Sequence, residues 1–143
     1  MKCKKDDGFT FVETIVCMAI VLILTLAVGL SSVKYLDKAR ETAVWKDMDT
    51  FKKALDSYYA DTGVYPTKSQ GLEALWTKPV LYPVPKNWKG PYIDSKIPLD
   101  PWGNSFVYNV PGTNGLPFEI TSYGSDGESG GTGTAKDLVS WDR

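Results

Sequence analysis

The stretch GFTFVETIVCMAIVLILTLAVGL, from Gly8 to Leu30, decides how the rest of the chain is read. From Phe9 onward it is apolar apart from one charge, Glu13. As a helix rising ~1.5 Å per residue, Phe9 to Leu30 would extend about 33 Å, enough to cross a bilayer core of ~30 Å. Lys2, Lys4 and Lys5 precede the run; Lys34 and Lys38 follow it. Asp6 and Asp7 dilute the first cluster, but acids count little in setting orientation, so the N-terminus is expected on the cytoplasmic side. The run is longer than the apolar region of a cleaved secretory signal, and Val28-Gly29-Leu30-Ser31-Ser32 is only a weak cleavage site. A plain anchor would explain the length but not Glu13. A carboxylate inside a membrane helix costs several kcal/mol unless it is paired or lies near the interface.

The totals narrow the function classes. A chain of 143 residues suits one domain and little more. Lys+Arg and Asp+Glu number 16 and 17, so no basic excess points to nucleic acid. There is no histidine, which removes the commonest general base and metal ligand. No nucleophile elbow and no phosphate loop stands out, so an enzyme is not expected. Cys3 has no apolar segment before it, and Cys17 lies inside the apolar run, so neither suggests a lipoprotein signal or a disulfide.

After Leu30 the pattern becomes amphipathic. Val33, Leu36, Val44, Met48, Phe51, Leu55, Tyr58 and Tyr59 recur at three- and four-residue steps, with charged residues between them. Gly63 suits a helix cap and Pro66 prevents a restart. One helix from about Phe9 to Thr62 is expected, on the order of 80 Å long. Its first half is a bare apolar shaft, which must sit in lipid or among identical shafts; its second half offers a stripe for a sheet.

Beyond Thr62, proline, glycine and aromatics dominate. Gln70 to Leu75 reads as a turn and short helix, and Lys78 to Asp94 as a Pro- and aromatic-rich loop containing Trp88. Ser105–Val110 and Phe118–Tyr123 alternate as strands around the turn Pro111 to Gly115. In Pro98 to Asn104, Pro101 and Gly103 favour a tight bend that Asp100 is placed to cap. Trp88 and Trp102 are either core residues or contacts between subunits. The fold class is α+β: a long N-terminal helix against a small antiparallel sheet of about three strands. Gly124 to Ala135 is a Gly/Ser/Thr-rich tail that leads to Leu138–Trp141.

The basic leader, Gly8-Phe9-Thr10, Glu13 at the fifth place after Gly8 and the apolar run together resemble the N-terminal signal of the type IV pilin superfamily. Within it, the chain looks like the major pseudopilins of type II secretion, the general secretion pathway protein G-like members. That likeness rests on Thr62-Gly63-Val64-Tyr65-Pro66-Thr67, Gln70-Gly71-Leu72-Glu73-Ala74-Leu75, Gly90-Pro91-Tyr92, Pro98-Leu99-Asp100-Pro101-Trp102-Gly103-Asn104 and Ser122-Tyr123-Gly124-Ser125-Asp126-Gly127.

The resemblance implies a leader of residues 1–8, cut after Gly8 by a prepilin peptidase that methylates the new amine of Phe9. It implies a transmembrane and assembly half at 9–30 and a periplasmic domain at 31–143. Glu13 would pair with the N-terminal amine of a neighbouring subunit, each group removing the other's burial cost. The single-pass chain would leave the inner membrane for a periplasmic filament of its own copies. Minor pseudopilins, an inner-membrane platform, an assembly ATPase and an outer-membrane secretin are the implied partners, with no nucleic acid. A pilin of a true type IV pilus is the alternative.

The family's tail loop binds calcium, which takes six to eight oxygens. Asp126, Asp137 and the Tyr123 carbonyl match its ligand positions, and Glu128 is a further candidate. Two departures stand out. Relatives carry acids where this chain has Thr132 and Ala135, and many have proline where it has Leu30. Without that proline, a more continuous helix is expected.

Overall fold

A computed structural model describes residues 10–142, with the backbone alone at 27–33. Helix α1 runs Phe11–Thr62, 52 residues. It starts two residues later than the sequence suggested, because Thr10 serves as its N-cap. Helical structure is continuous through Leu30, as the missing proline implied. It ends as expected: Gly63 takes φ 76° and its N–H donates to the Tyr59 carbonyl at 2.8 Å, a left-handed cap that a side chain would resist.

Two compact units divide the chain, Met1–Lys38 and Ala39–Arg143. In the first, the side chains described from Phe11 to Leu26 are exposed, Phe11 by 80% and Leu26 by 68%. Phe11 to Leu26 extends about 24 Å at 1.5 Å per residue, short of a bilayer core. Among the described residues no helix is long and apolar enough to cross a membrane. The rest of the expected 9–30 span, Phe9 and the side chains of 27–30, lies outside the described set, as does the 1–8 leader.

The second unit holds the core. Val44, Met48, Phe51, Leu55 and Tyr58 of α1 are buried at alternating steps of four and three, one face of a helix. Leu36 and Tyr59 depart from the expected stripe, being 53% and 47% exposed. Tyr59 follows Tyr58 by ~100° around the helix, so it falls at the edge and stacks on Tyr65 with ring centroids 4.7 Å apart.

The sheet order is β1-β2-β3, all antiparallel: β1 Val107–Asn109, β2 Glu119–Ser122 and β3 Leu138–Val139. The strands are shorter than the alternation suggested. Tyr108 pairs with Ile120 and Ser122 with Leu138, and all four are buried. Phe106 and Phe118 complete the core, Phe106 meeting Phe51 edge-on at 5.2 Å. The short helix after Pro66 is a turn over Thr67–Gly71 followed by a 3₁₀ turn at Leu72–Leu75. Trp88 and Trp102 both pack partly buried against the core, and Trp88 Nε1–H donates to the Ala74 carbonyl at 3.0 Å.

Asp100 is the polar knot of this unit. It is 4% exposed. One carboxylate oxygen accepts the N–H groups of Trp102 (3.0 Å) and Asn104 (2.8 Å), and the other accepts the Ser122 hydroxyl at 2.7 Å. Asn104 Nδ2–H donates in turn to the Gly124 carbonyl at 2.7 Å. The bend capped by Asp100 is thereby fastened to the end of β2 and to the start of the glycine-rich loop.

Asp100→Ala leaves three donors, the buried Ser122 hydroxyl and the partly buried N–H groups of Trp102 and Asn104, without their acceptor and should destabilise the chain by about 2 kcal/mol or more, measured by chemical denaturation in mild detergent. A second expectation concerns Asp61. Hydrogen bonds from Lys89 Nζ (2.9 Å) and Tyr92 (3.0 Å) hold its carboxyl below the ordinary aspartate range. A lowered folded pKa gives stability above the unfolded pKa that is lost as pH falls through the folded one. The stability gap between the unaltered chain and Asp61→Asn should be full at about pH 6 and close below about pH 4.

Candidate functional site

Two places in the chain carry the residues singled out above: the start of α1 and the glycine-rich loop between β2 and β3. At the helix start, Gly8 and Phe9 lie outside the described residues, and Glu13 occupies the third helical position. Its Oε2 accepts the Thr10 N–H and the Thr10 hydroxyl, both at 2.9 Å. The Glu13 N–H is 3.3 Å from Thr10 Oγ1. This is a reciprocal capping box, in which two backbone donors at the helix start are satisfied by two side chains. The Thr-x-x-Glu spacing at Thr10–Glu13 signals such a box in sequence, yet Thr10 drew no notice there beside the intramembrane acid.

The capping box gives Glu13 a defined place at the first turn. It holds one carboxylate oxygen against Thr10, where the helix dipole also favours a negative charge.

In the loop, the backbone is shaped by glycines in the left-handed region. At Gly131, φ is 87° and a Cβ would lie 2.4 Å from the Ala135 carbonyl oxygen. At Gly127, φ is 70° and a Cβ would meet the Asn104 side chain at 2.9 Å. The Ser125 N–H donates to the Thr134 carbonyl at 2.9 Å and so draws the ends of the loop together. The Gly130 N–H donates to Asp137 Oδ2 at 3.0 Å, and the Glu128 N–H donates to Asp126 Oδ1 at 3.2 Å.

Asp137 Oδ1 is buried and, among the described residues, has no hydrogen-bond partner. A buried carboxylate oxygen left this way is costly, and an oxygen-seeking cation would remove the cost. On that observation, Asp137 and the folded-back loop fit a hard cation. The carboxylates do not gather, however: among the described residues no three acidic, histidine or cysteine side chains group as a metal site. Asp126 and Glu128 are exposed, and Tyr123 is half-buried at the loop's entrance. A cation here would depend on main-chain oxygens as well as carboxylates.

Comparison with known proteins places this geometry. A family model described as type II secretion system protein G matches residues 31–141, and one described as the prokaryotic N-terminal methylation motif matches residues 3–29. The type II secretion system core protein G of Pseudomonas aeruginosa is 40% identical over 99% of this chain and 99% of its own length. The same component of Vibrio cholerae is 40% identical over 98% of this chain and 94% of its own. A crystal structure of the major pseudopilin from the type 2 secretion system of enterohaemorrhagic Escherichia coli superposes with a TM-score of 0.65 at 35% identity. It covers 76% of this chain and 92% of the other.

Neutralising the carboxylate whose Oδ1 lacks a partner gives a direct check on the loop. Without metal, Asp137→Asn should leave thermal stability unchanged or slightly raised, because the orphaned charge is gone. A drop of several degrees in metal-free buffer would show that Asp137 is already satisfied within the chain.

Proposed function

The chain belongs to the type II secretion protein G family, and we propose that it is the subunit that polymerises into the secretion pseudopilus and drives export of folded proteins across the outer membrane. One observation supports this most strongly: an apolar helix surface from Phe11 to Leu26 stands exposed, which only lipid or other copies can cover. The protein then acts by assembling, with no catalytic site of its own.

In this reading a prepilin peptidase removes residues 1–8 after Gly8 and methylates Phe9. The helix from Phe9 to Leu30 holds the chain in the inner membrane, with the second unit in the periplasm. On extraction, the apolar surfaces of neighbouring copies pack together. The Phe9 amine of one copy meets Glu13 of another, and the Thr10 cap fixes where that carboxylate stands. A platform and ATPase in the inner membrane drive growth, minor pseudopilins share the filament, and a secretin is the exit.

Calcium completes the proposal. Asp126, Asp137 and the Tyr123 carbonyl would hold it, with Glu128 a further donor. The ion would supply charge neutralisation and fix the loop; Thr132 and Ala135 bring no carboxylate to it, so affinity should be modest. At calcium a hundred times its Kd, stabilisation should be about 2.7 kcal/mol, seen as a rise in Tm that magnesium does not give and Asp137→Asn abolishes. No calcium-specific rise would remove the site from the account.

Glu13→Ala should leave insertion and cleavage intact and lower filament yield strongly, read by sedimentation and immunoblotting of sheared cells. Normal yield would exclude the pairing role.

A further inference from the structure

Between buried Pro79 and buried Pro85 the chain carries a strap whose side chains face solvent. Val80 is 87% exposed and Tyr82 90%, with Leu81 and Val84 about half exposed. The strap is nonetheless fixed. Gln70, 9% exposed, donates from Nε2 to the carbonyls of Leu81 (2.8 Å) and Pro83 (2.9 Å), while its Oε1 accepts the Thr67 N–H at 2.9 Å. A buried carboxamide thus holds an apolar ridge outward, so its ordering cost is met before any partner arrives. Lys78 and Lys86 flank the ridge, both exposed and neither in an ion pair among the described residues.

The same unit carries a counterpart. A pocket of about 160 Å³ is floored by Phe51, Ile93 and Pro98 and edged by Asp47, Asp94 and Lys96. Neither Asp47 nor Asp94 makes a hydrogen bond or ion pair among the described residues. Asp47 is half-buried, and burial pushes its carboxyl up.

From this arrangement we infer that the Val80–Val84 ridge of one copy docks on the Asp47/Asp94 pocket of the next, with Lys78 and Lys86 facing the two carboxylates. The inference rests on the filament-subunit reading above. The ridge is flanked by two lysines and the pocket is rimmed by two carboxylates against the single Lys96, and they are different patches of one unit, so the contact is head-to-tail. A head-to-tail contact propagates as a filament where its rotation does not close a ring. An apolar centre with a charged rim also suits a specific, salt-sensitive interface.

Charge exchange in the full chain, expressed with its secretion machinery, tests this. Lys78→Glu with Lys86→Glu should lower filament yield by roughly tenfold, and Asp47→Lys with Asp94→Lys should do the same. The four changes together should restore yield to within about threefold of the unaltered chain. Tm in detergent should stay within a few degrees throughout, separating assembly from folding. Unaltered yield in either double variant, or no recovery in the fourfold one, overturns the contact. Normal filaments with lost export would assign the strap to another component and overturn it too. No filaments from the unaltered chain would overturn the filament-subunit reading itself.

Discussion

The apolar surface from Phe11 to Leu26 governs everything else in this chain. Burial of apolar area is the largest favourable force available to a protein, and here a long helical stretch forgoes it. Core residues on α1 begin only at Val44, in the unit that starts at Ala39. Among its described residues the first unit therefore has no core of its own, and in the proposed reading lipid or other copies supply the cover. A globular domain that could wrap its own helix would have no reason to assemble.

The second unit holds a core of its own. Its core is aromatic and tight, with Phe51 on Phe106 and Tyr65 on Phe118, at centroid distances of 5.2 and 5.0 Å. Tyr108 is buried deeply enough that desolvation pushes its hydroxyl well up, and it donates to the Pro66 carbonyl at 3.0 Å. Asp100 ties the loops to β2, so the glycine-rich loop leaves a fixed point. Gln70 does the same for the strap. Buried polar groups with their bonds satisfied specify one arrangement of otherwise irregular chain, and the bend at Asp100 and the strap at Gln70 are held that way.

Much of this was legible in the sequence. The helix, its end at Gly63, the first two strands and the capping role of Asp100 follow from periodicity and turn chemistry, because those signals are local. Tyr59 misled because step counting cannot tell the centre of a helical stripe from its edge. The strands came out short because alternation continues into residues that lack a pairing partner. Thr10 escaped notice although its spacing to Glu13 is a known capping pattern. The pinning of the strap by Gln70 had no local signal at all, since it joins residues eleven and thirteen positions apart through a side chain. The family was readable from Gly8 to Glu13 and from Pro98 to Asn104, and the comparisons bear it out.

The central claim is that copies of the chain cover the exposed apolar helix. Cys17 lies in that surface, exposed in the isolated chain, and Cys3 precedes the proposed cleavage position after Gly8. Purified filaments, free of membrane, can be treated with a water-soluble thiol reagent before and after detergent dissociation. The account predicts that Cys17 is protected in the intact filament and reacts once the copies separate. Full reaction of Cys17 in intact filaments would contradict it.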